Sequence, residues 1–170
     1  MPTLEQFKNA RSVLKGVIRE TSLIDSPALS KGCGNRVYLK PENMQVTGAY
    51  KIRGAYYKIS TLTQEQRERG LVTASAGNHA QGVAFAAHSH GIPATIVMPK
   101  AAPIAKVQAT EGYGARVVLC GDCYDDAKFV ADYIRERSAI QDIIINYVGP
   151  VIGSHTGPGV VSVFFLGTER

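Results

Sequence analysis

From residue 51 onward the chain alternates short β-branched stretches with longer stretches patterned for helix, and this rhythm constrains the fold more than any other feature. The strands read as LVTA at 71–74, ATIVM at 94–98, RVVLC at 116–120 and DIIIN at 142–146. Helices are predicted at 51–60, in TQEQRERG just after it, and at 79–90, 103–111 and 125–137. Strands separated by helices pair in parallel through right-handed crossovers. The expectation is therefore an α/β fold, a three-layer open parallel sheet with helices on both faces. In such sheets ligands collect at the carboxyl ends of the strands, which marks the segments after Lys40, Ala74, Met98 and Cys120 as the working rim.

The flanks are less regular. A first helix is expected over 4–16, opened by a capping box of Thr3 and Gln6, with Leu4, Phe7, Val13, Leu14 and Val17 able to share a face. DSPALSKGCG reads as a short helix with Ser26 as cap, Pro27 in its first turn and Gly32 or Gly34 at its end, followed by a strand in RVYLK at 36–40. Beyond residue 148 the chain turns dense in glycine and proline and then apolar, in VSVFFLGTER, with no helix to follow; it reads as an unfinished end. Three portions result: 1–50, a central α/β portion 51–127, and a tail 128–170.

Composition removes several classes of function. The net charge of +5 is spread among acidic residues with no basic block, which argues against nucleic-acid binding. No apolar run reaches the roughly 18 residues that span a bilayer, and the first ten residues have no apolar signal core. The expectation is a cytoplasmic protein that binds neither membrane nor nucleic acid. Three cysteines make an odd count that argues against a disulfide framework. CGDC at 120–123 has the spacing of half a zinc site, but no second pair completes it; the thiols read as reduced and no metal is expected.

Two stretches carry chemistry. VTGAYKIRGA delivers Lys51 to the start of a helix, where the positive end of the macrodipole and burial among Tyr50, Ile52 and Tyr56 would lower its pKa. A neutral amine is what Schiff-base formation requires. Taken alone, Lys51 reads as a solvated helix lysine, and only its context favours the reactive reading. TASAGNHAQG follows a strand and opens a helix, so backbone N–H groups from Ser75 to Asn78 can point at one small anion, and the Asn78 amide can donate and accept. A tight turn that needs Gly77 is the plainer alternative, and His79 alone reads as a capping or packed residue.

LKPENMQVTGAYKIRGA followed about 25 residues later by ASAGNHAQG resembles the pyridoxal-phosphate-dependent threonine dehydratases of fold type II and their serine dehydratase relatives. VMP at 97–99 and GYGARVVLCGDCYDDA at 112–127 extend the resemblance over about residues 1–127. It implies pyridoxal 5'-phosphate as cofactor, with Lys51 binding it as a Schiff base and later shuttling the α-proton. It implies that Asn78 bonds the ring hydroxyl. Ser75, Ala76, Gly77, Asn78 and His79 would clamp the carboxylate of threonine or serine. The reaction implied is loss of the β-hydroxyl as water, giving a 2-oxo acid and ammonia, in a homo-oligomer. The commoner GSFK of that family reads GAYK here, at 48–51.

The tail, DIIINYVGPVIGSHTGPGVVSVFFLGTER, resembles instead the C-terminal end of the DegV fatty-acid-binding family. That resemblance implies His155 as a contact for an acyl carboxylate, with a join between about residues 121 and 140. The glycine-rich phosphate loop of the dehydratases lies beyond the matched region, so the chain reads as truncated, with weak or absent activity expected. The alternative function is a non-catalytic fragment or fusion: an acyl-binding remnant or a subunit-interaction module.

Overall fold

The computed structural model describes residues 3–137. The expected strand 142–146 and His155 lie outside the described residues. Those described form two compact units, one of residues 3–22 with 41–137 and the other of residues 23–40.

The larger unit opens with α1 (Leu4–Leu14), whose Thr3 hydroxyl accepts from the Gln6 N–H while the Gln6 side chain accepts from the Thr3 N–H. The expected shared apolar face of this helix is covered only toward its C-terminal end. Leu14 is in the core, but Leu4 and Phe7 are 70% and 63% exposed. Periodicity gives a helix an apolar stripe; it does not supply the surface that covers it. The helix also ends two residues sooner than expected, where Lys15 turns to an extended conformation.

A short 3-10 turn (Glu42–Met44) leads to α3 (Lys51–Ser60), α4 (Gln64–Arg69) and then the alternating core. Strands β3 (Leu71–Ala74), β4 (Ala94–Met98) and β5 (Arg116–Leu119) run parallel in that order. Ala74 lies opposite Val97 and Met98 opposite Leu119, so the three carboxyl ends finish nearly level. The connecting helices are α5 (Asn78–Ser89) and α6 (Ile104–Gly112), and α7 (Tyr124–Arg137) follows β5.

Alternate residues of each strand serve opposite faces. Leu71, Ile96 and Met98 join Ala55, Ile59, Val83 and Ala87 in a core beneath α3 and α5. Val72, Ala74 and Val97 meet Ala127 and Ala131 of α7 on the other side. Helices on both faces of a parallel sheet are what the sequence pattern predicts.

The smaller unit holds α2 (Pro27–Cys33) between two strands of two residues each, β1 (Ile24–Asp25) and β2 (Tyr38–Leu39). These pair antiparallel. The strand expected at 36–40 is thus shorter, and the segment after Lys40 does not follow a strand of the parallel sheet. Ser26 stands at the cap position without a side-chain cap bond, because the Ser30 hydroxyl and the Val37 carbonyl hold this turn through the Val37 and Ser26 amides. Gly34 ends the helix.

Candidate functional site

Lys51 is the first residue of α3, and nonlocal polar contacts fix the loop that delivers it. Glu42 receives both Nε and an Nη of Arg53, at 2.8 and 2.7 Å, and also the Thr21 hydroxyl at 2.7 Å. Bidentate pairing of this kind is geometrically specific, and Glu42 holds the Arg53 guanidinium above its ordinary pKa. Gln45, almost fully buried, accepts from the Arg19 and Val46 amides and donates to the Arg19 carbonyl. One clamp lies before Lys51 and the other spans it.

Packing against α5 completes the placement. A Cβ on Gly82 would lie 3.2 Å from the Ile52 nitrogen and 3.3 Å from the Lys51 carbonyl carbon. Only a residue without a side chain lets the first turn of α3 come this close. Gly82 is one turn on from Asn78, so the amino end of α3 is set against the first turns of α5.

Lys51 itself is half-buried, its Nζ 5.4 Å from the centre of the Tyr50 ring. Burial lowers its pKa, which raises the neutral fraction of the amine. Of the neighbours expected, Tyr50 provides a ring face, while Ile52 is wholly buried in the core and Tyr56 stacks 4.8 Å from His90.

The turn after β3 is organised by Ser75. Its buried hydroxyl accepts from the Gly77 amide at 3.2 Å and the Ala80 amide at 3.1 Å, closing one of the four N–H groups that a helix leaves without internal partners. No side chain caps α5 from Gly77. Asn78 and Ala76 are exposed at this turn, His79 is half-buried, and Gly77 is buried. A Cβ on Gly77 would fall 2.6 Å from Lys106 Cδ.

Lys106, in the first turn of α6, reaches across to give its Nζ to Asn78 Oδ1 at 2.7 Å. The structure therefore sets the first turn of α3 against Gly82, one helical turn past Asn78, and adds Lys106 to the 75–79 segment. Glu42, Gln45, Arg53, Gly82 and Lys106 were not singled out by the sequence. Glu42, Gln45, Arg53 and Gly82 stand inside the two quoted motifs; Lys106 has only its place after the VMP strand end as a signal.

A family model described as pyridoxal-phosphate dependent enzyme matches residues 14–147. The chain belongs to the pyridoxal-phosphate-dependent enzymes. Among members of this family, the L-threonine ammonia-lyase of Thermotoga maritima is 53% identical over 138 residues, which are 81% of this chain and 34% of that protein. The solved threonine deaminase isoform 2 of Solanum lycopersicum superposes with a TM-score of 0.68 at 37% identity, covering 81% of this chain and 41% of that one. Maize serine racemase gives 0.73 at 33% identity, covering 79% and 41%. The chain thus spans about a third to two fifths of the length of these relatives.

The donor set fits the pyridoxal-phosphate cofactor of this family. Lys51 offers an amine of lowered basicity and Asn78 an exposed amide. Among the described residues, no helix is long and apolar enough to cross a membrane.

Proposed function

We propose that this chain carries the lysine-bearing part of a dehydratase site for threonine or serine, which releases a 2-oxo acid and ammonia. The observation that carries the reading is the half-buried Lys51, held at the start of α3 against the first turns of α5. The similarity to a protein named L-threonine ammonia-lyase supports the choice of substrate.

When bound, pyridoxal phosphate supplies an electron-accepting ring for the bond cleavage. The chain's own residues do the rest. Lys51 would hold the cofactor through its neutral amine and, once the substrate's amine has taken its place, the freed Nζ would take and return the α-proton. Asn78 orients the ring through its side-chain amide. The opening of α5, from Ser75 to His79, receives the substrate carboxylate through the favourable end of the helix dipole and through backbone N–H groups other than those of Ser75 and Gly77, which are bonded to the Val97 carbonyl and the Ser75 hydroxyl. Ser75 contributes by holding that turn in shape, since its oxygen is already shared between two amides. A central 51–127 domain, a cytoplasmic location and association of copies belong to the same proposal.

The test is release of 2-oxobutanoate from threonine, or pyruvate from serine, by the 170-residue chain with added pyridoxal phosphate. Weak release by the wild type and its loss in Lys51→Ala is the expected pair of results. Equal release by the two proteins overturns the reading.

A further inference from the structure

Lys106 is the one basic side chain that the described structure brings into direct contact with Asn78, and nothing in the reading above requires it. It arrives from α6, 28 residues further along the chain, and its Nζ lies 2.7 Å from Asn78 Oδ1. Its aliphatic stem runs over Gly77, close enough that a Cβ there would meet Cδ at 2.6 Å and Nζ at 2.8 Å. A glycine and a lysine from separate elements are thus fitted to one another around the amide of Asn78.

The chemistry of an amide gives this contact a consequence. A primary amide has an acceptor end and a donor end, and a lysine ammonium can only donate. With Oδ1 held toward Lys106, the amide is oriented so that the two hydrogens on Nδ2 are the end Asn78 presents away from that lysine. The ligand atom opposite must be an acceptor, and an anionic oxygen is favoured because the ammonium adds positive charge beside the opening of α5.

We propose that Lys106 is a positioning residue, which locks the Asn78 amide with its N–H groups toward the site and so selects the anionic form of the cofactor's ring oxygen. This rests on the proposed role of Asn78 as the ring contact. Lys106 acts through Asn78 and takes no part in bond cleavage.

The amide can be observed without the cofactor. In the 170-residue chain the Asn78 side-chain amide protons, assigned by their loss in Asn78→Ala, should give a distinct pair of NMR signals. Lys106→Met should move that pair toward the positions of a solvated asparagine, and Lys106→Arg should keep it near the wild-type position. With pyridoxal phosphate, the absorbance near the visible edge should titrate with pH. Lys106→Met should weaken binding about three- to tenfold, the range for an exposed charge-assisted bond, and raise the pH at which the anionic form appears. Lys106→Arg should restore most of both effects. In an Asn78→Ala background the Lys106→Met change should do nothing further.

Unmoved amide signals in Lys106→Met overturn the proposal, as does a full additional loss in the Asn78→Ala background. If the wild type gives no Lys51-bound cofactor, the function proposed above fails. The amide signals then still decide the contact between Lys106 and Asn78, and the selection of an anionic ring oxygen is overturned with the function.

Discussion

Two kinds of helix start occur in the larger unit, and they are built differently. At α1 and α4 a threonine and a glutamine close a reciprocal box: Thr3 with Gln6, and Thr63 with Gln66. At α3, α5 and α6 the cap positions are Tyr50, Gly77 and Pro103, and none makes a side-chain cap bond. The boxed helices begin with exposed surface residues; the unboxed ones bring Lys51, Asn78 and Lys106 to their first turns. A helix whose start must only be stable closes its N–H groups with its own side chains. The start of α3 is instead held by tertiary contacts through Glu42 and Gly82, and that of α5 by the Ser75 hydroxyl from before the cap position.

The largest effect should come from disturbing the tertiary hold on α3. Gly82→Val places methyl groups where the Ile52 nitrogen is already 3.2 Å from a bare Cβ. Overpacking of this kind costs about 1–3 kcal/mol. Thermal unfolding should show that loss, and cofactor binding at Lys51 should fall with it. An unchanged Tm would mean that α3 does not depend on this approach.

A contrast between caps comes next. Ser75→Ala strips the partner from the buried Gly77 and Ala80 amides, at about 1–3 kcal/mol. It should weaken pyridoxal-phosphate binding as well as stability. Thr63→Ala opens the α4 box at about 1 kcal/mol and should leave cofactor binding alone. Denaturant titration with parallel cofactor titration checks both, and equal binding losses in the two variants would erase the distinction between the kinds of helix start.

The smallest effect belongs to the far end of α5. Burial, and then the charge of Arg67, lower the His90 pKa, and its Nε2 is buried without a hydrogen-bond partner. A base with a lowered folded pKa binds fewer protons in the folded than in the unfolded state. Stability should therefore be highest above the ordinary histidine value of about 6.5 and decline as pH falls below it. His90→Gln should flatten that part of the stability-against-pH curve. A slope that survives the substitution would assign it to other groups.

The sequence made local features legible. β3 and β4 occupy the expected residues, α3 spans 51–60 as read, and the Thr3–Gln6 box forms because its two partners lie three residues apart. What required the structure was everything set by distance along the chain. Glu42 meets Arg53 and Lys106 meets Asn78, across 11 and 28 residues, and no periodic pattern announces either contact. Gly82 reads as a helix glycine until α3 is laid against it. The exposed Leu4 and Phe7 mark the opposite failure, where an amphipathic pattern was legible and the described residues do not bury it. The motif around Lys51 pointed to the chemistry, but its clamps are tertiary.

The central claim is that Lys51, held at an unboxed helix start and made less basic by burial, is the lysine that bonds the cofactor. Incubation of the 170-residue chain with pyridoxal phosphate, reduction with borohydride and mapping of the labelled peptide tests it directly. The account predicts label concentrated on Lys51 and absent from that peptide in Lys51→Ala, with exposed lysines such as Lys8 and Lys58 little modified. Label spread evenly over the exposed lysines, with Lys51 no richer than the rest, would contradict it.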